Sequence, residues 1–329
     1  MDKAIGLLSG GLDSTLATKL MLDQGIEVLA LSFITPFCTC TRKGCKHEAS
    51  RVAEKFGIKI KVIVLTDEYI KMVRNPAHGY GKHMNPCVDC RIFMFKIAKR
   101  YMEEIGVSFI FTGEVLGQRP MSQRNEAMGI IERESRLEGL ILRPLSARYL
   151  KPTIPEKEGL VDREKLLEIR GRWRKPQMEL ALILGIKDYP CPAGGCRLTD
   201  PHFARRVRES FDHGEDTTKD MYLLRYGRHF RLPGGNKFIV GRNEKENSTL
   251  SSLAEEKDLL MEVVDSNSPV ALLKGKSRRK DLKIAASICA RYSDCDSRTA
   301  EVRIGYDGKW ERNIFVKPIN RKFVKEFRI

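Results

Sequence analysis

The first part of the chain alternates between short apolar runs and segments with helical spacing. Residues 4–8 form an apolar run that ends in Ser-Gly-Gly, and residues 26–33 form a second, continuous run. Between them, residues 14–24 place apolar side chains at the spacing of one helix face. Two strands joined by a helix in this way make a βαβ unit, in which the strands are parallel.

The same alternation continues for another eighty residues. Helices are predicted over 47–56 and 91–105, and strands over 58–65 and 107–112. The strands are continuously apolar, which is typical of a parallel sheet that is covered on both faces. The expected fold class is therefore α/β, with helices on both faces of a parallel sheet and ligands at the carboxyl ends of its strands.

A change of pattern near residue 210 predicts a second domain. Residues 210–222 are polar and acidic, so we expect them to be a linker between a domain of residues 1–209 and a domain of residues 223–329. Beyond the linker, short apolar runs and one clear helix indicate a smaller α+β domain. Asp307 and Gly308 are predicted to form a hairpin turn within it.

The composition is that of a folded chain with an affinity for polyanions. Of its 329 residues, 42% are hydrophobic and 31% are charged, and no run approaches the ~18 apolar residues of a membrane-spanning helix. The net charge of +16 is shared by both halves and favours nucleic acid as a partner, although a heavily charged surface of the thermophilic kind would look similar. With no signal-peptide pattern, the expected location is cytoplasmic, without membrane contact.

A glycine turn, Ser9-Gly10-Gly11-Leu12-Asp13-Ser14, follows the first strand. Glycines let the backbone approach a ligand closely, and the N–H groups at the start of the next helix attract an anion. Asp13 suits such a site only if a divalent cation accompanies the anion, as Mg²⁺ does with nucleotide phosphates. The turn is neither a Walker A loop nor a dinucleotide fingerprint, because it lacks the required lysine and glycine spacing.

This turn resembles the PP-loop of the ATP pyrophosphatases, enzymes that cleave ATP to AMP and pyrophosphate in order to adenylate a substrate. The resemblance implies about five parallel strands and a loop that binds ATP phosphates and Mg²⁺. The residues implied are Ser9, Gly10, Gly11, Asp13 and Ser14, with Asp13 also catalytic. A weaker resemblance of Thr112-Gly113-Glu114 to a later stretch of the same fold adds Gly113 to the nucleotide site.

The nine cysteines are expected to be reduced, so their clusters indicate metal or sulfur chemistry. Cys87 and Cys90 precede a predicted helix, whose positive end should lower the pKa of Cys90 and favour the thiolate. The alternatives are a structural zinc completed by His78 and His83, or two buried apolar cysteines.

A third thiol follows in a Pro- and Gly-flanked segment, where Cys191 and Cys196 are both candidates. Asn-Pro-Cys-x-x-Cys with a distant Gly-Gly-Cys resembles the tRNA-thiolating branch of the PP-loop enzymes, the 4-thiouridine synthases and 2-thiouridylases. In that branch a uridine carbonyl is adenylated and sulfur displaces AMP, either from a cysteine persulfide or from a [4Fe-4S] cluster. The resemblance implies Cys87, Cys90 and Cys196 as cluster ligands and sulfur-delivering residues, with Cys191 as the alternative third ligand, because three thiolates leave one iron open.

Other segments offer further sites. Cys38, Cys40 and Cys45, with His47, could bind zinc, but this loop also lies near the expected nucleotide and its basic residues could contact RNA phosphate. Residues 170–175 combine four basic groups with a tryptophan that could stack on a base.

The C-terminal domain resembles the NFACT-R domain, through Gly241-Arg242-Asn243 and the helical segment 285–293. That resemblance implies RNA binding. Because the domain is short of aromatic residues, its contacts are expected to be with phosphate. The basic residues expected to make them are Arg242, Lys245, Arg278, Arg279 and Lys280.

These observations predict an ATP-dependent tRNA sulfurtransferase, with 4-thiouridine favoured over 2-thiouridine as the product. Since nothing in the chain resembles rhodanese, sulfur is expected from a separate donor, such as a cysteine desulfurase or free sulfide. One alternative is a PP-loop enzyme that adenylates a small molecule, as an amidotransferase-type ligase or a sulfur-inserting cofactor enzyme does. The other is a non-catalytic adaptor that binds ATP and RNA.

Overall fold

The structure is a computed structural model that describes residues 2–38, 45–189, 196–276, 278–306 and 309–329, with only the backbone described for residues 45–47. The chain divides into two compact units, one up to Asp200 and one from Pro201 onward. Among the described residues, no helix has the length and apolar character needed to cross a membrane.

The first unit contains a parallel sheet with the strand order β3-β2-β1-β4-β5. This arrangement confirms the expected α/β class. The elements of the described part are β1 (Lys3–Leu7), α1 (Leu12–Asp23), β2 (Glu27–Ile34), α2 (Cys45–Lys55), β3 (Lys59–Val64), α3 (Asp67–Arg74), α4 (Cys87–Glu104), β4 (Phe109–Thr112), α5 (Asn125–Ser135), β5 (Ile141–Leu142), α6 (Ile154–Lys157) and α7 (Lys175–Ile183).

Both faces of this sheet are buried, which explains the continuous apolar strands. Ala4 of β1 packs on one side, in a cluster that includes Met21 of α1. Its neighbour Ile5 packs on the other side, in a cluster that includes Phe95 of α4. Because successive strand residues point to opposite faces, a sheet covered by helices on both sides needs an apolar residue at nearly every position.

The strand order places the ends of β1 and β4 side by side. The chain runs outward from β1 through β2 to β3 and then crosses back to β4 on the other side of β1. Such a reversal opens a crevice at the carboxyl ends of the two central strands. The glycine turn after β1 and the Thr112-Gly113-Glu114 segment after β4 both lie at this crevice.

The second unit contains an antiparallel sheet with the order β11-β10-β8-β9-β7-β6 and helices packed on it, as expected for an α+β domain. The elements of the described part are α8 (Pro201–Asp212), α9 (Thr218–Leu223), β6 (Arg228–Arg231), β7 (Lys237–Val240), α10 (Glu244–Leu253), β8 (Leu259–Val263), β9 (Ala271–Leu273), α11 (Arg279–Arg291), β10 (Ala300–Tyr306), β11 (Lys309–Val316) and α12 (Arg321–Phe327). The expected hairpin turn at Asp307 and Gly308 lies outside the described residues, although Tyr306 and Lys309 pair across it.

The segment 210–222, expected to be a linker, is instead part of the second unit. It holds the end of α8 and most of α9, and Thr217 and Asp220 form a capping box that begins α9. Glu215 bonds to Arg231 of β6 and to the buried Lys237 of β7. The polar residues of this segment cap a helix and neutralise buried cations, so their polarity did not indicate a solvent-exposed linker. The boundary between the two compact units lies earlier in the chain, at Asp200.

The carboxylate of Glu215 is expected to stabilise the second unit in a pH-dependent way. Burial alone would raise the pKa of Glu215, but hydrogen bonds from Arg231 and the charge of Lys237 lower it to about 2. A carboxylate with a lowered folded-state pKa stabilises the fold above its unfolded value of about 4.3, and this contribution is lost as the pH falls towards 2.

Glu215→Gln should lower the free energy of unfolding at pH 7 by on the order of 2 kcal/mol. The difference from the parent should shrink between pH ~4.3 and ~2. Urea unfolding can be followed by tryptophan fluorescence in a Trp173→Phe background, where Trp310 is the one tryptophan left. Glu256→Gln, at an exposed position of the same unit, is the control. A pH-independent difference would contradict the proposed ion pairing.

Candidate active site

The glycine turn is closely packed against helix α2. Gly10 has a φ of +77°, and a Cβ atom there would lie 2.6 Å from the carbonyl carbon of Glu48. Helix α1 begins after Gly11 without a side-chain cap, so N–H groups of its first turn are available to an anion. Ser14 Oγ donates to the Gly11 carbonyl at 2.9 Å and lies 3.2 Å from Ser9 Oγ, which holds both hydroxyls at the turn.

Asp13 lies where the turn meets the end of β4. Gln118 Nε2 donates to Asp13 Oδ2 at 3.0 Å. The second carboxylate oxygen, Asp13 Oδ1, and the amide oxygen of Gln118 are buried without a hydrogen-bond partner. Oxygen atoms of this kind are the ligands that Mg²⁺ prefers, and an unsatisfied buried carboxylate oxygen is costly without one.

Gly113 is required by this close approach. A Cβ atom at position 113 would lie 2.4 Å from the carbonyl carbon of Asp13 and from the backbone nitrogen of Ser14. Any larger residue would push the end of β4 away from the start of α1. Gly113 therefore lies against the backbone of Asp13 and Ser14, at the nucleotide site that the sequence predicts.

A buried ion-pair network connects this crevice to helix α4. Glu114 follows Gly113 and is 2% exposed; its two oxygens each lie 3.1 Å from a guanidinium nitrogen, one of Arg91 and one of Arg143. Arg143 also pairs with Glu132 of α5. Burial alone would raise the pKa of Glu114, but the two guanidinium groups hold it below its usual value. Glu114 thus stays ionised and ties three elements together.

The cysteines lie at the α4 end of this network. Cys87 and Cys90 occupy the first turn of α4, and Cys90 immediately precedes Arg91. Asn85 Nδ2 donates to Cys87 Sγ at 2.9 Å, and the Tyr69 hydroxyl lies 3.2 Å from Cys90 Sγ. Two hydrogen-bonding side chains therefore hold the thiols of this turn.

The structure brings a third and a fourth thiol into the same neighbourhood. Cys196 pairs with Cys38 in an antiparallel β-bridge. The pKa of Cys196 is raised to about 12, chiefly by burial, and the charges of Cys90, Cys38 and Cys87 contribute to this rise. Because charges of this kind act over short distances, Cys90, Cys38 and Cys87 lie in the neighbourhood of Cys196.

The thiols do not have the lowered pKa expected from the helix start. Burial raises the pKa of Cys90 to about 11, and the Tyr69 hydrogen bond and the Arg91 charge offset only part of that effect. Burial likewise raises the pKa of Cys87, against the opposing charge of Arg119. At neutral pH these free thiols are protonated, because the loss of water contact disfavours the thiolate more than the positive end of the helix favours it.

The zinc alternatives receive no support from the described residues. His78 Nε2 lies 2.8 Å from Glu134 Oε1, its Nδ1 faces Asp89, and His83 is exposed. Within the described ranges, no three His, Cys, Asp or Glu residues are arranged to hold a single metal ion. Cys40, Cys191 and the side chains of Cys45 and His47 lie outside what the structure describes.

The sequence did not point to several of these neighbours. Tyr69 stands in an ordinary helical pattern, and only the fold brings its hydroxyl to Cys90. Gln118 belongs to a polar loop whose sequence suits either solvent or an ATP-facing role, and only the fold shows its contact with Asp13, 105 positions away. Cys38 was noticed as part of a local cluster rather than as a partner of Cys196.

The surfaces expected to contact RNA differ in how available they are. Trp173 is 84% exposed, beside basic residues of the segment 170–175. Arg242 is 47% exposed and forms an ion pair with Glu246, with which a phosphate group would compete. Arg278 is exposed at the start of α11.

Exposed aromatic side chains also occur in the second unit, contrary to the expectation that the domain is short of them. Phe315 of β11 is largely exposed, and Trp310 of the same strand is partly exposed beneath the Arg303 guanidinium, 4.7 Å from its ring centre.

Comparisons with known proteins match the two units separately. Residues 1–154 match the family model described as "Thiamine biosynthesis protein (ThiI)". Residues 227–328 match the model described as "NFACT protein RNA binding domain".

Two curated relatives align with part of the chain. A "Probable tRNA sulfurtransferase" of Thermococcus kodakarensis is 32% identical over 181 residues, which are 55% of this chain and 45% of the relative. A "tRNA-specific 2-thiouridylase MnmA" of Geobacter metallireducens is 31% identical over 122 residues, 32% of this chain and 33% of the relative. The chain thus spans less than half the length of each of these relatives.

Among solved structures, "Crystal structure of a 4-thiouridine synthetase - RNA complex with bound ATP" aligns over 67% of this chain and 53% of that one, with 20% identity and a TM-score of 0.38. The family assignment comes from the two sequence models. The N-terminal segment 1–154 therefore belongs to the ThiI family of PP-loop proteins, and the segment 227–328 belongs to the family of NFACT RNA-binding domains.

Proposed function

We propose that this protein is an ATP-dependent tRNA sulfurtransferase that adenylates a uridine carbonyl oxygen and replaces that oxygen with sulfur. The observation that carries the proposal is the link between the two halves of the site. Glu114 is the residue after Gly113, at the crevice between β1 and β4. It pairs with Arg91, which directly follows Cys90 in helix α4. A nucleotide-activating site and a group of thiols are thereby held in one rigid framework. The names of the two curated relatives support the same chemistry.

ATP fits the crevice between β1 and β4. The N–H groups at the start of α1 and the hydroxyls of Ser9 and Ser14 would bind its phosphates, with no side chain at Gly10 or Gly11 to obstruct them. Asp13 Oδ1 and the amide oxygen of Gln118, both unpaired, suit Mg²⁺. When bound, Mg²⁺ would neutralise charge on the phosphates as pyrophosphate leaves.

The reaction then proceeds in two displacements. The uridine carbonyl oxygen attacks the α-phosphorus of ATP, and pyrophosphate leaves. Sulfur attacks the activated ring carbon, and AMP leaves with the former carbonyl oxygen. Sulfide from the separate donor, held at the thiols near Cys90, would be this nucleophile. Burial of these thiols would keep water, the competing nucleophile, away from it.

In this proposal the thiols hold a [4Fe-4S] cluster rather than a single metal ion. Cys87, Cys90 and Cys196 would hold it, while Cys191, the alternative ligand, lies outside the described residues. In the described chain no group is arranged to hold one ion, but a cluster distributes its cysteine ligands over several irons. Metal binding would also release the protons that burial otherwise keeps on these thiols. The cluster would supply an open iron able to carry sulfide.

The substrate is proposed to be tRNA, with 4-thiouridine as the product. The net charge of +16 and the exposed Trp173 beside basic residues suit an RNA chain with accessible bases. The sulfur would come from a separate donor, such as a cysteine desulfurase or free sulfide.

A second candidate is adenylation of a small molecule. The name of the matching family, a thiamine biosynthesis protein, favours this candidate. The deciding experiment incubates purified protein anaerobically with unmodified tRNA, ATP, Mg²⁺ and sulfide, and then digests the tRNA for nucleoside mass spectrometry against 4-thiouridine and 2-thiouridine standards. Co-elution with 4-thiouridine supports the proposal in full. Absence of any thiouridine, with pyrophosphate release independent of tRNA, would support the small-molecule candidate.

Asp13→Asn should reduce tRNA-dependent AMP formation by about 100-fold or more, because the amide cannot neutralise Mg²⁺ as a carboxylate does. AMP release from labelled ATP measures the effect. Asp23→Asn is the matched control, since Asp23 lies at the far end of the same helix and pairs with Lys19. Equal rates in the two variants would mean that the crevice is not the ATP site.

Cys87→Ser should reduce thiouridine formation by about 100-fold or more while AMP formation continues, because activation and sulfur delivery use different residues. Thiouridine and AMP are measured in the same reaction. Cys295→Ser, in the second unit and without a proposed role, should keep both products. Normal thiouridine from Cys87→Ser would exclude this thiol from sulfur delivery.

Trp173→Ala should raise the KM for tRNA roughly 5-fold to 100-fold, since stacking on one base contributes about 1–3 kcal/mol. Trp173→Phe retains an aromatic face and should stay within a few-fold of the parent. The KM for ATP should be unchanged in both variants. If alanine and phenylalanine behave alike, Trp173 does not stack on the substrate.

A further inference from the structure

Among the thiols that the structure describes near this site, Cys38 is the one that the proposed function does not use. It lies four residues beyond the end of β2, directly opposite Cys196 in an antiparallel bridge. The flanking hydrogen bond runs from Arg197 N to the carbonyl oxygen of Phe37 and measures 2.8 Å. This bond joins the residues next to the pair, so Cys38 and Cys196 occupy a non-hydrogen-bonded position.

That position brings the two cysteines within range of a disulfide. Residues directly opposite each other at such a position have Cα atoms about 4.5 Å apart, and disulfides span Cα separations of ~4.4–6.8 Å. Their side chains leave the same face of the paired segments. Both cysteines are free and only partly buried, so a small disulfide reagent can reach them.

Buried neighbours hold both segments in this register. Phe37 is fully buried and its ring packs 6.2 Å from the ring of Tyr69. Leu198 is also fully buried, and its carbonyl accepts a hydrogen bond from Met84 N at 3.2 Å. Arg197 Nε donates to the carbonyl of Cys38 at 3.3 Å. Buried residues on both segments therefore hold Cys38 and Cys196 opposite each other.

We propose that Cys38 and Cys196 form a reversible disulfide, and that this bond is an oxidised state of the protein in which Cys196 is withdrawn from the sulfur site. The oxidant is a low-molecular-weight disulfide. Cys38, as its thiolate, attacks the reagent and releases one thiol. Cys196 then gives up its proton, attacks the Cys38 sulfur of the mixed disulfide and releases the second thiol. The protein loses two electrons and two protons, and the reagent is reduced to two thiols.

Formation of the disulfide does not depend on the proposed function. Its consequence, the loss of Cys196 as a cluster ligand, rests on the proposed function. If Cys196 is a cluster ligand, the disulfide and the cluster exclude each other, because one sulfur atom cannot serve both. Oxidation would then leave only Cys87 and Cys90 for the cluster. A dithiol reductant would restore the third ligand.

The test uses the full-length, metal-free, reduced protein and oxidised glutathione as the probe. After the reaction is stopped by alkylation, the intact mass should be lower by two hydrogen atoms than that of the reduced protein, after correction for alkyl groups. Trypsin should yield residues 20–42 joined to residues 188–197. Cys38→Ser and Cys196→Ser should each abolish this joined peptide, whereas Cys40→Ser and Cys191→Ser should retain it.

Several outcomes would overturn the pairing. One is a joined peptide that survives Cys38→Ser, and another is a bond confined to Cys87 and Cys90 within the peptide 83–91. A third is glutathione adducts without any joined peptide. Circular dichroism of each serine variant establishes that it has folded.

A second measurement separates this inference from the proposed cluster. Protein loaded anaerobically with iron and sulfide should form the joined peptide at least ten-fold more slowly than the metal-free protein, if Cys196 is a ligand. Equal rates would contradict the role of Cys196 as a ligand but leave the disulfide intact. Loss of the joined peptide in the metal-free protein would overturn the disulfide and leave the cluster proposal standing.

Discussion

The candidate site depends on one buried carboxylate. Glu114 lies at the end of the strand beside β1, has almost no contact with solvent, and pairs with the guanidinium groups of Arg91 and Arg143. An ionised group with so little solvent access is stable only when it is paired in this way. Its pairing fixes the start of helix α4 relative to the glycine crevice. The positions of Cys87 and Cys90 therefore follow from a charge interaction that neither cysteine makes.

The same burial decides the chemistry of the thiols. A helix start favours a thiolate, but for Cys90 the loss of water is the larger effect and keeps the proton on sulfur. Such a thiol is a poor nucleophile by itself and becomes useful when a metal displaces its proton. Cys38 and Cys196 offer a different outcome, because opposed cysteines can be oxidised to a disulfide. One group of sulfur atoms thus has two chemically distinct states available.

The second unit depends on buried charges of its own. Lys237 is almost fully buried in a strand and is neutralised by Glu209 and Glu215, while Arg231 pairs with the same two carboxylates. The exposed features are of a different kind: cationic groups at the start of α11, and aromatic rings on and near β11. Paired charges stabilise the unit, whereas the exposed cations and rings would offer phosphate and base contacts to the RNA proposed as substrate.

Local patterns in the sequence were sufficient for the α/β class, the order of its first elements, and the glycine turn. Continuous apolar runs indicate strands that are buried on both faces of a sheet. A glycine pair between a strand and a helix indicates a turn whose backbone lies close to another group. The sequence also indicated which cysteines to consider. These features depend on residues that are near one another along the chain, so their spacing is informative.

Long-range contacts decided the rest. Three contacts of the site join residues 29 to 158 positions apart: Gln118 with Asp13, Cys38 with Cys196, and Glu114 with Arg143. A periodic pattern along the sequence cannot indicate contacts of this kind. The acidic segment around Glu215 looked like a linker because a sequence shows polarity but not the cation that will neutralise it. Burial is likewise a property of the folded chain, which is why the raised thiol pKa values could be known only from the tertiary structure.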